Sequence, residues 1–132
     1  SVVSSAGAVG VMQLLPSTAA DKNVGVDDIS RIENNIHAGA KYMAFVRGHY
    51  FDDPQIDLAA RMDFTWASYN AGPNRIRRLR SLAKERGFDP NSWFGNVEVV
   101  AAEKIGRETV DYVRNINKYF VAYKMYFNTQ QL

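Results

Sequence analysis

The 132-residue chain contains no cysteine, which removes both disulfides and thiolate metal sites. Histidine is nearly as scarce. His37 and His49 are the only two, and neither stands at a ligand spacing from an Asp, a Glu or the other His. Both therefore read as surface or half-buried side chains. No apolar run approaches the length of a membrane span, and nothing resembles a signal peptide. Nucleophile-elbow, phosphate-loop and dinucleotide signatures are absent; Gly7-Ala8-Val9-Gly10 is too short and has no strand before it. There are no repeats and no low-complexity tract. Excess charge of one sign is also lacking. Sixteen Lys and Arg face 14 Asp and Glu, and the resulting +2 does not by itself name a polyanionic partner. Ser1 stands where a Met would begin a natural chain, which predicts a cut or trimmed product whose targeting signals the sequence does not disclose.

What is present is ordinary globular material. Hydrophobic residues make up 46% and charged residues 23%, enough for one domain with a core of its own and too apolar for a disordered chain. The patterning is helical nearly throughout. From Ser30, the apolar positions Ile32, Ile36, Ala40, Met43, Val46 and Tyr50 recur every three or four residues and predict one buried helix face. Pro54 closes a linker, and a second helix is predicted over Gln55–Ala71. Gly72-Pro73 stops it, because Gly accepts a left-handed terminal position and Pro cannot continue the hydrogen-bond ladder. Pro73 also opens a third helix that Gly87 terminates. Asp89-Pro90-Asn91-Ser92 predicts a turn and N-cap ahead of Trp93. Strand alternation reaches a few residues at most, at Val97–Val100. In the last segment Val113, Ile116, Phe120, Tyr123 and Phe127 share a stripe, with Tyr112, Tyr119 and Tyr126 beside it, and most of these rings are expected in the core. The fold class is mainly α, in a single domain.

Three stretches carry polar groups where helices begin or end. Ser4 to Ala19 places Met12 and Gln13 after two glycines, where a bulky ligand can approach backbone. Tyr69 and Asn70 end a helix directly before the Gly72-Pro73 break, so that a phenol and an amide project into any adjoining cleft. Glu108 and Tyr112, four apart, share a face at the start of the final helix. Taken singly, each has a plain account as a glycine-rich turn, a helix stop and an exposed helix start. The basic run Arg75, Arg77, Arg78, Arg80, Lys84 and Arg86 suits phosphate contacts, but Ile76, Leu79 and Leu82 alternate with it, and a solvated helix face explains it as well.

In this order, the stretches resemble the catalytic domain of the soluble-type lytic transglycosylases (SLT), lysozyme-like enzymes that cleave peptidoglycan. The family's first motif combines Glu-Ser, a variable stretch, and Ser-x-x-Gly-Ala-x-Gly-Leu-Met-Gln-Leu-x-Pro-x-Thr-Ala. Ser4-Ser5-Ala6-Gly7-Ala8-Val9-Gly10-Val11-Met12-Gln13-Leu14-Leu15-Pro16-Ser17-Thr18-Ala19 matches its second part. Asn35-Ile36 through Tyr42-Met43 matches Asn-Ile-x-x-Gly-x-x-Tyr-Leu. Ala67-Ser68-Tyr69-Asn70-Ala71-Gly72-Pro73 matches Ala-x-Tyr-Asn-Ala-Gly-Pro. Glu108-Thr109-Val110-Asp111-Tyr112-Val113 matches Glu-Thr-x-x-Tyr-Val. The segment Arg86–Lys104 before the last motif is similar to the membrane-bound F subgroup, in which this domain follows a ligand-binding domain akin to periplasmic solute receptors.

The resemblance implies a lysozyme-like helical fold, here truncated at the N-terminus, with residues 1–132 forming one SLT-like domain. The family's catalytic Glu belongs to the Glu-Ser pair and would precede Ser1, so the chain by itself is expected to be inactive or nearly so. No residue of this chain is assigned as the acid; Glu33, Glu85, Glu98 and Glu103 lack motif support, and Glu108 lines the cleft in the family. The substrate-binding residues implied are Ser4, which would hold the acid, and Met12 and Gln13, which would meet the sugars nearest the scissile bond. Tyr69 and Asn70 would stabilise the sugar acetamide and the developing charge, and Glu108 and Tyr112 would form the opposite wall. Val11 replaces the commoner Leu and Asn74 a frequent Gly, changes expected to touch packing alone. The implied chemistry uses no metal and no cofactor. The implied partner is the peptidoglycan glycan strand, with no nucleic acid. The implied location is the periplasm, associated with the outer membrane in the full-length protein. Two other readings compete: a non-catalytic glycan-binding module of lysozyme-like fold, and a nucleic-acid module built on the Arg75–Arg86 face, for which salt-dependent DNA retention is the test.

Overall fold

The computed structural model describes residues 16–21, 23–26 and 32–130. Every regular element among them is helical, and no strand occurs among the described residues. The Val97–Val100 alternation is thus a helical segment. Among the described residues no helix is long and apolar enough to cross a membrane. The chain divides into two compact units, residues 1–49 and 50–132.

In the first unit, α1 (Pro16–Ala20) runs into a turn closed on the carbonyls of Asp21 and Ala19. Asp21 accepts from the Val24 and Gly25 N–H groups at 2.9 and 2.7 Å, and Ala19 accepts from Val26 at 2.8 Å. These bonds bury Ala19, Val24 and Val26. The second helix, α2 (Ile32–Tyr50), spans the predicted segment, and its buried row agrees with the predicted one in part: Val46 is buried and Met43 and Tyr50 are half-buried, while the side chain of Ile32 lies outside the described residues. Ile36 is 46% exposed and Ala40 is exposed, whereas Asn35, Ala38, Gly39 and Val46 are buried. Small residues and an amide occupy the first half of the inward face, so apolar bulk misplaces that half of the buried row.

The second unit begins with the loop that leads into α3 (Leu58–Ala71). Arg61 anchors this loop, donating from Nε to the Ile56 carbonyl and from Nη2 to the Asp53 carbonyl, each at 2.8 Å. The helix starts three residues later than the pattern predicts. Asp57 is its N-cap, accepting the Ala60 N–H at 2.8 Å and satisfying a backbone donor that the first turn leaves open. The helix α4 (Pro73–Glu85) follows after one residue, Gly72, whose φ of 96° permits the sharp break. Gly87, at φ 85°, ends it as predicted.

Next comes a helical turn over Trp93–Val97 with non-helical torsions at Phe94 and Gly95. Ser92 makes no side-chain cap bond, so the expected N-cap is absent. Regular helix resumes only in α5 (Glu98–Ile105), where the Glu98 carboxylate accepts the Gly95 N–H at 3.2 Å. The long α6 (Arg107–Gln130) completes the unit. α3 packs on α4 and α6, and α5 on α6 and the Trp93 turn. The core they enclose contains Phe51, Ile56, Phe64, Ile76, Leu79, Trp93, Val97, Val100, Val110 and Val113. Phe64 is its hub, stacked on Phe51 at 5.5 Å and edge-on to Trp93 at 6.2 Å.

The aromatic stripe of α6 is core only at its start. Val110 and Val113 are buried, but Tyr119 is 72% exposed, Tyr126 64% and Phe120 41%, which corrects the expectation for those rings. Phe120 meets Trp66 edge-on at 5.5 Å and carries the Lys124 ammonium over its ring at 5.5 Å. The side chains of Tyr123 and Phe127, placed on the same stripe by the sequence, lie outside the described residues.

Candidate functional site

The last turn of α3 carries Tyr69 and Asn70, and Gly72 fixes where that turn ends by donating its N–H to the Ser68 carbonyl at 2.7 Å. Both side chains are half-buried. The first turn of α6 carries Glu108 and Thr109, with Tyr112 one turn further on. Since α3 packs against α6, the two helix ends meet. The contact between them is specific: the Thr109 hydroxyl donates to Asn70 Oδ1 at 2.6 Å. Thr109 is buried, so this bond forms away from bulk water, where a lone hydroxyl or amide oxygen is costly.

The bond sets the orientation of the amide. With Oδ1 occupied by Thr109, the Nδ2 N–H groups face away from it and remain as donors for another acceptor. Glu108 is exposed on the first turn of α6, where the helix N-terminus favours a carboxylate. Tyr112 is half-buried, and that burial pushes its phenol above the ordinary value, so it stays a neutral O–H donor. The surface at these helix ends therefore offers an oriented amide, a phenol and a carboxylate, with Tyr69 beside them. These are the groups that recognise hydroxyls and acetamides.

Of the residues expected to bind substrate, Tyr69, Asn70, Glu108 and Tyr112 thus lie at two packed helix ends of one unit. Ser4, Met12 and Gln13 lie outside the described residues. His37 and His49 are exposed, as anticipated, and His49 stacks on Phe45 at 5.1 Å. Among the described residues no three His, Asp or Glu side chains gather as a metal ligand set. Two of the carboxylates without motif support have structural partners: Glu103 pairs with Arg86, and Glu98 pairs with Arg114 at 3.4 Å.

Sequence reading missed Thr109 as a site residue, although it lies inside a quoted motif next to Glu108. Its role depends on a partner 39 positions away, which no local pattern reveals. It also missed Asp63, a carboxyl only 8% exposed in the middle of α3. Burial pushes Asp63 up to about 7, and the charges of Asp57 and Glu98 add to the shift. Ser68, between Asp63 and Tyr69, is fully buried, and among the described residues neither its hydroxyl nor Trp93 Nε1 has a hydrogen-bond partner.

Residues 1–92 match the family model described as the transglycosylase SLT domain. The membrane-bound lytic murein transglycosylase F of Desulfosudis oleivorans is 36% identical over 127 residues, covering 86% of this chain and 27% of that protein. Its namesake in Marinobacter nauticus is 33% identical over 131 residues, covering 89% of this chain and 25% of that protein. The one in Pseudomonas fluorescens is 30% identical over 132 residues, covering 90% and 26%. The chain thus spans about a quarter of the length of the curated relatives it matches. Three of the four sequence motifs lie wholly within the matched segment, with Glu108-Thr109 following beyond it, and on that match the chain belongs to the transglycosylase SLT domain family.

Proposed function

We propose that this chain is the glycan-binding and cleaving domain of a peptidoglycan lytic transglycosylase, which breaks the β-1,4 bond between N-acetylmuramic acid and N-acetylglucosamine. The observation that carries the reading is the Asn70–Thr109 bond, which joins the Tyr-Asn motif to the Glu-Thr motif. It presents the Asn70 Nδ2 donors in the fixed orientation that recognition of a sugar acetamide oxygen, or of charge developing beside it, requires. The relatives named lytic murein transglycosylase F support the same reading.

In this reading, a glutamate that the family pattern puts ahead of the Ser4 motif protonates the leaving glycosidic oxygen as the C1–O bond breaks. The same carboxylate then takes the proton from the 6-hydroxyl of the muramic acid ring while that oxygen attacks C1. A 1,6-anhydro ring closes, no water is consumed, and the acid is restored. Only one carboxylate is needed, in contrast to the paired carboxylates of ordinary glycosidases. Ser4 orients that acid, and Met12 and Gln13 contact the sugars beside the bond. Tyr69 and Asn70 hold the acetamide and the developing charge, while Glu108 and Tyr112 form the facing wall. The reading extends to a longer protein acting in the periplasm at the outer membrane, with a ligand-binding domain preceding residues 1–132.

The test is digestion of purified sacculi by the full-length protein, with products analysed by mass spectrometry. Products lighter than the hydrolysed muropeptides by one water are expected, and residues 1–132 alone are expected to release almost none. Hydrolysed reducing ends as the main product would contradict the proposed reaction.

A further inference from the structure

The basic run on α4 is not one solvated face. Ile76, Leu79 and Ala83 turn into the core, and Arg77, Arg80 and Lys84 turn to an open pocket of about 310 Å³, which Asp53, Gln55 and Asn91 also line. None of these pocket residues belongs to the four family motifs. Two arginine clamps shape it. Arg61 ties down the loop before α3 through the Ile56 and Asp53 carbonyls. Arg80 ties down the loop after α4, donating from Nε to the Pro90 carbonyl at 2.8 Å and from Nη2 to Asn91 Oδ1 at 2.9 Å.

The cations around this pocket make no direct ion pair among the described residues. Arg61, Arg86, Arg107 and Arg114 each have a carboxylate partner. Among the described residues Arg77, Arg80 and Lys84 have none. Arg77 lies over the Tyr50 ring at 5.5 Å, and Arg80 lies over Phe64 at 5.0 Å and Phe51 at 5.8 Å. Those rings hold the guanidinium groups in place without cancelling their charge. Burial lowers the Arg80 pKa and the neighbouring Arg77 charge adds to the shift, while the Asp53 carboxylate opposes it. Among the described lining residues the one carboxylate is Asp53, which uses Oδ1 to accept the Gln55 N–H at 2.9 Å.

We propose that this pocket binds a peptide bearing a free carboxylate, with Arg77 and Lys84 taking the carboxylate and Asp53 taking an N–H or ammonium of the same peptide. Gln55 and Asn91 supply amide groups suited to peptide bonds. Asp53 decides between a peptide and a phosphate: it sets a like charge beside a dianion but gives a peptide nitrogen a partner. The assignment rests on the peptidoglycan reading, since that polymer carries short acidic peptides on its glycan, and it names the part of the substrate that α4 recognises.

The test titrates full-length protein with peptides cut from purified sacculi, with the same peptides after methyl esterification, and with inorganic phosphate. Unmodified peptides are expected to bind at least about tenfold more tightly than their esters. Arg77→Gln and Lys84→Gln are each expected to weaken binding by about three- to tenfold. Lys84→Gln touches no ring and keeps the test independent of packing around Tyr50. Equal binding of acid and ester, no peptide binding, or unchanged affinity in both variants would overturn the proposal. Displacement of the peptide by phosphate at equal concentration would also overturn it, because the site would then read charge alone. Cleavage of peptide-free glycan strands by the wild-type protein, run in parallel, reports on the enzymatic reading separately. If the strands stay intact while the peptides bind as expected, the glycan-cleaving reading falls and the pocket stands.

Discussion

Ser68 shows how closely the functional turn of α3 is bound to its packing. Its side chain is fully buried one residue ahead of Tyr69, and its hydroxyl has no hydrogen-bond partner among the described residues. A buried hydroxyl without a partner is destabilising by about 1–3 kcal/mol. Ser68→Ala removes that hydroxyl and leaves a cavity smaller than a water, so it should stabilise the protein by about 1 kcal/mol in urea titration, with an unchanged m-value. A loss of stability would show that the hydroxyl has a partner after all. Thr109 is the opposite case. Its hydroxyl is buried but satisfied by Asn70, and the two together fix an amide that neither residue fixes alone. The motif residues themselves could be read from the sequence, because the family pattern is written in residue types. The bond between them could not, since it joins positions brought together only when α3 packs on α6.

At the scale of the helix, punctuation by glycine and proline was legible and side-chain capping was not. Gly72-Pro73 and Gly87 end their helices where the sequence places them, because their backbone requirements are local. Asp57 was passed over as the start of α3 because Pro54 and Gln55 look like the better boundary, yet Asp57 holds the Ala60 N–H at 2.8 Å. Asp57→Ala should therefore destabilise the protein by about 1 kcal/mol, measured by chemical denaturation; Asp57→Ser should recover most of the loss. An unchanged midpoint for Asp57→Ala would mean that the cap carries no energy. The faces of α2 and α6 were harder to read. α2 turns Asn35, Ala38 and Gly39 inward, none of which falls on the apolar row of the sequence. The rings of α6 keep their periodicity beyond Ile116, yet Tyr119, Phe120 and Tyr126 are exposed, and periodicity alone does not say which turns of a helix a neighbour covers.

For the molecule as a whole, the fold class was the most legible property, because helical periodicity and four ordered motifs agree over most of the chain. A property set by the assembled fold was not legible: the proton held by Asp63. In the folded protein its carboxyl sits up at about 7, from an ordinary 3.8, because α3 buries it and Asp57 and Glu98 repel its charge. A group whose folded value is raised stabilises the fold while protonated, so its contribution is complete below about pH 4. The contribution fades as pH rises toward 7, with a slope of at most about 1.4 kcal/mol per pH unit. Thermal melts at pH 5 and 7.5 should accordingly show the wild type losing stability relative to Asp63→Asn. Parallel melting curves for the two proteins would exclude Asp63 as the cause.

The account's central claim is that the Asn70 amide, locked by Thr109, serves the sugar and not merely the junction of α3 with α6. Asn70→Ala alone would strand the buried Thr109 hydroxyl and mix the two effects, so the decisive variant carries Asn70→Ala together with Thr109→Val, removing both partners at once. Its rate of anhydro-muropeptide release from sacculi, measured in the full-length protein beside its melting temperature, should fall at least about 100-fold while the melting temperature moves only a few degrees. A rate within about threefold of wild type in a folded double variant would show that the amide does no work on the glycan.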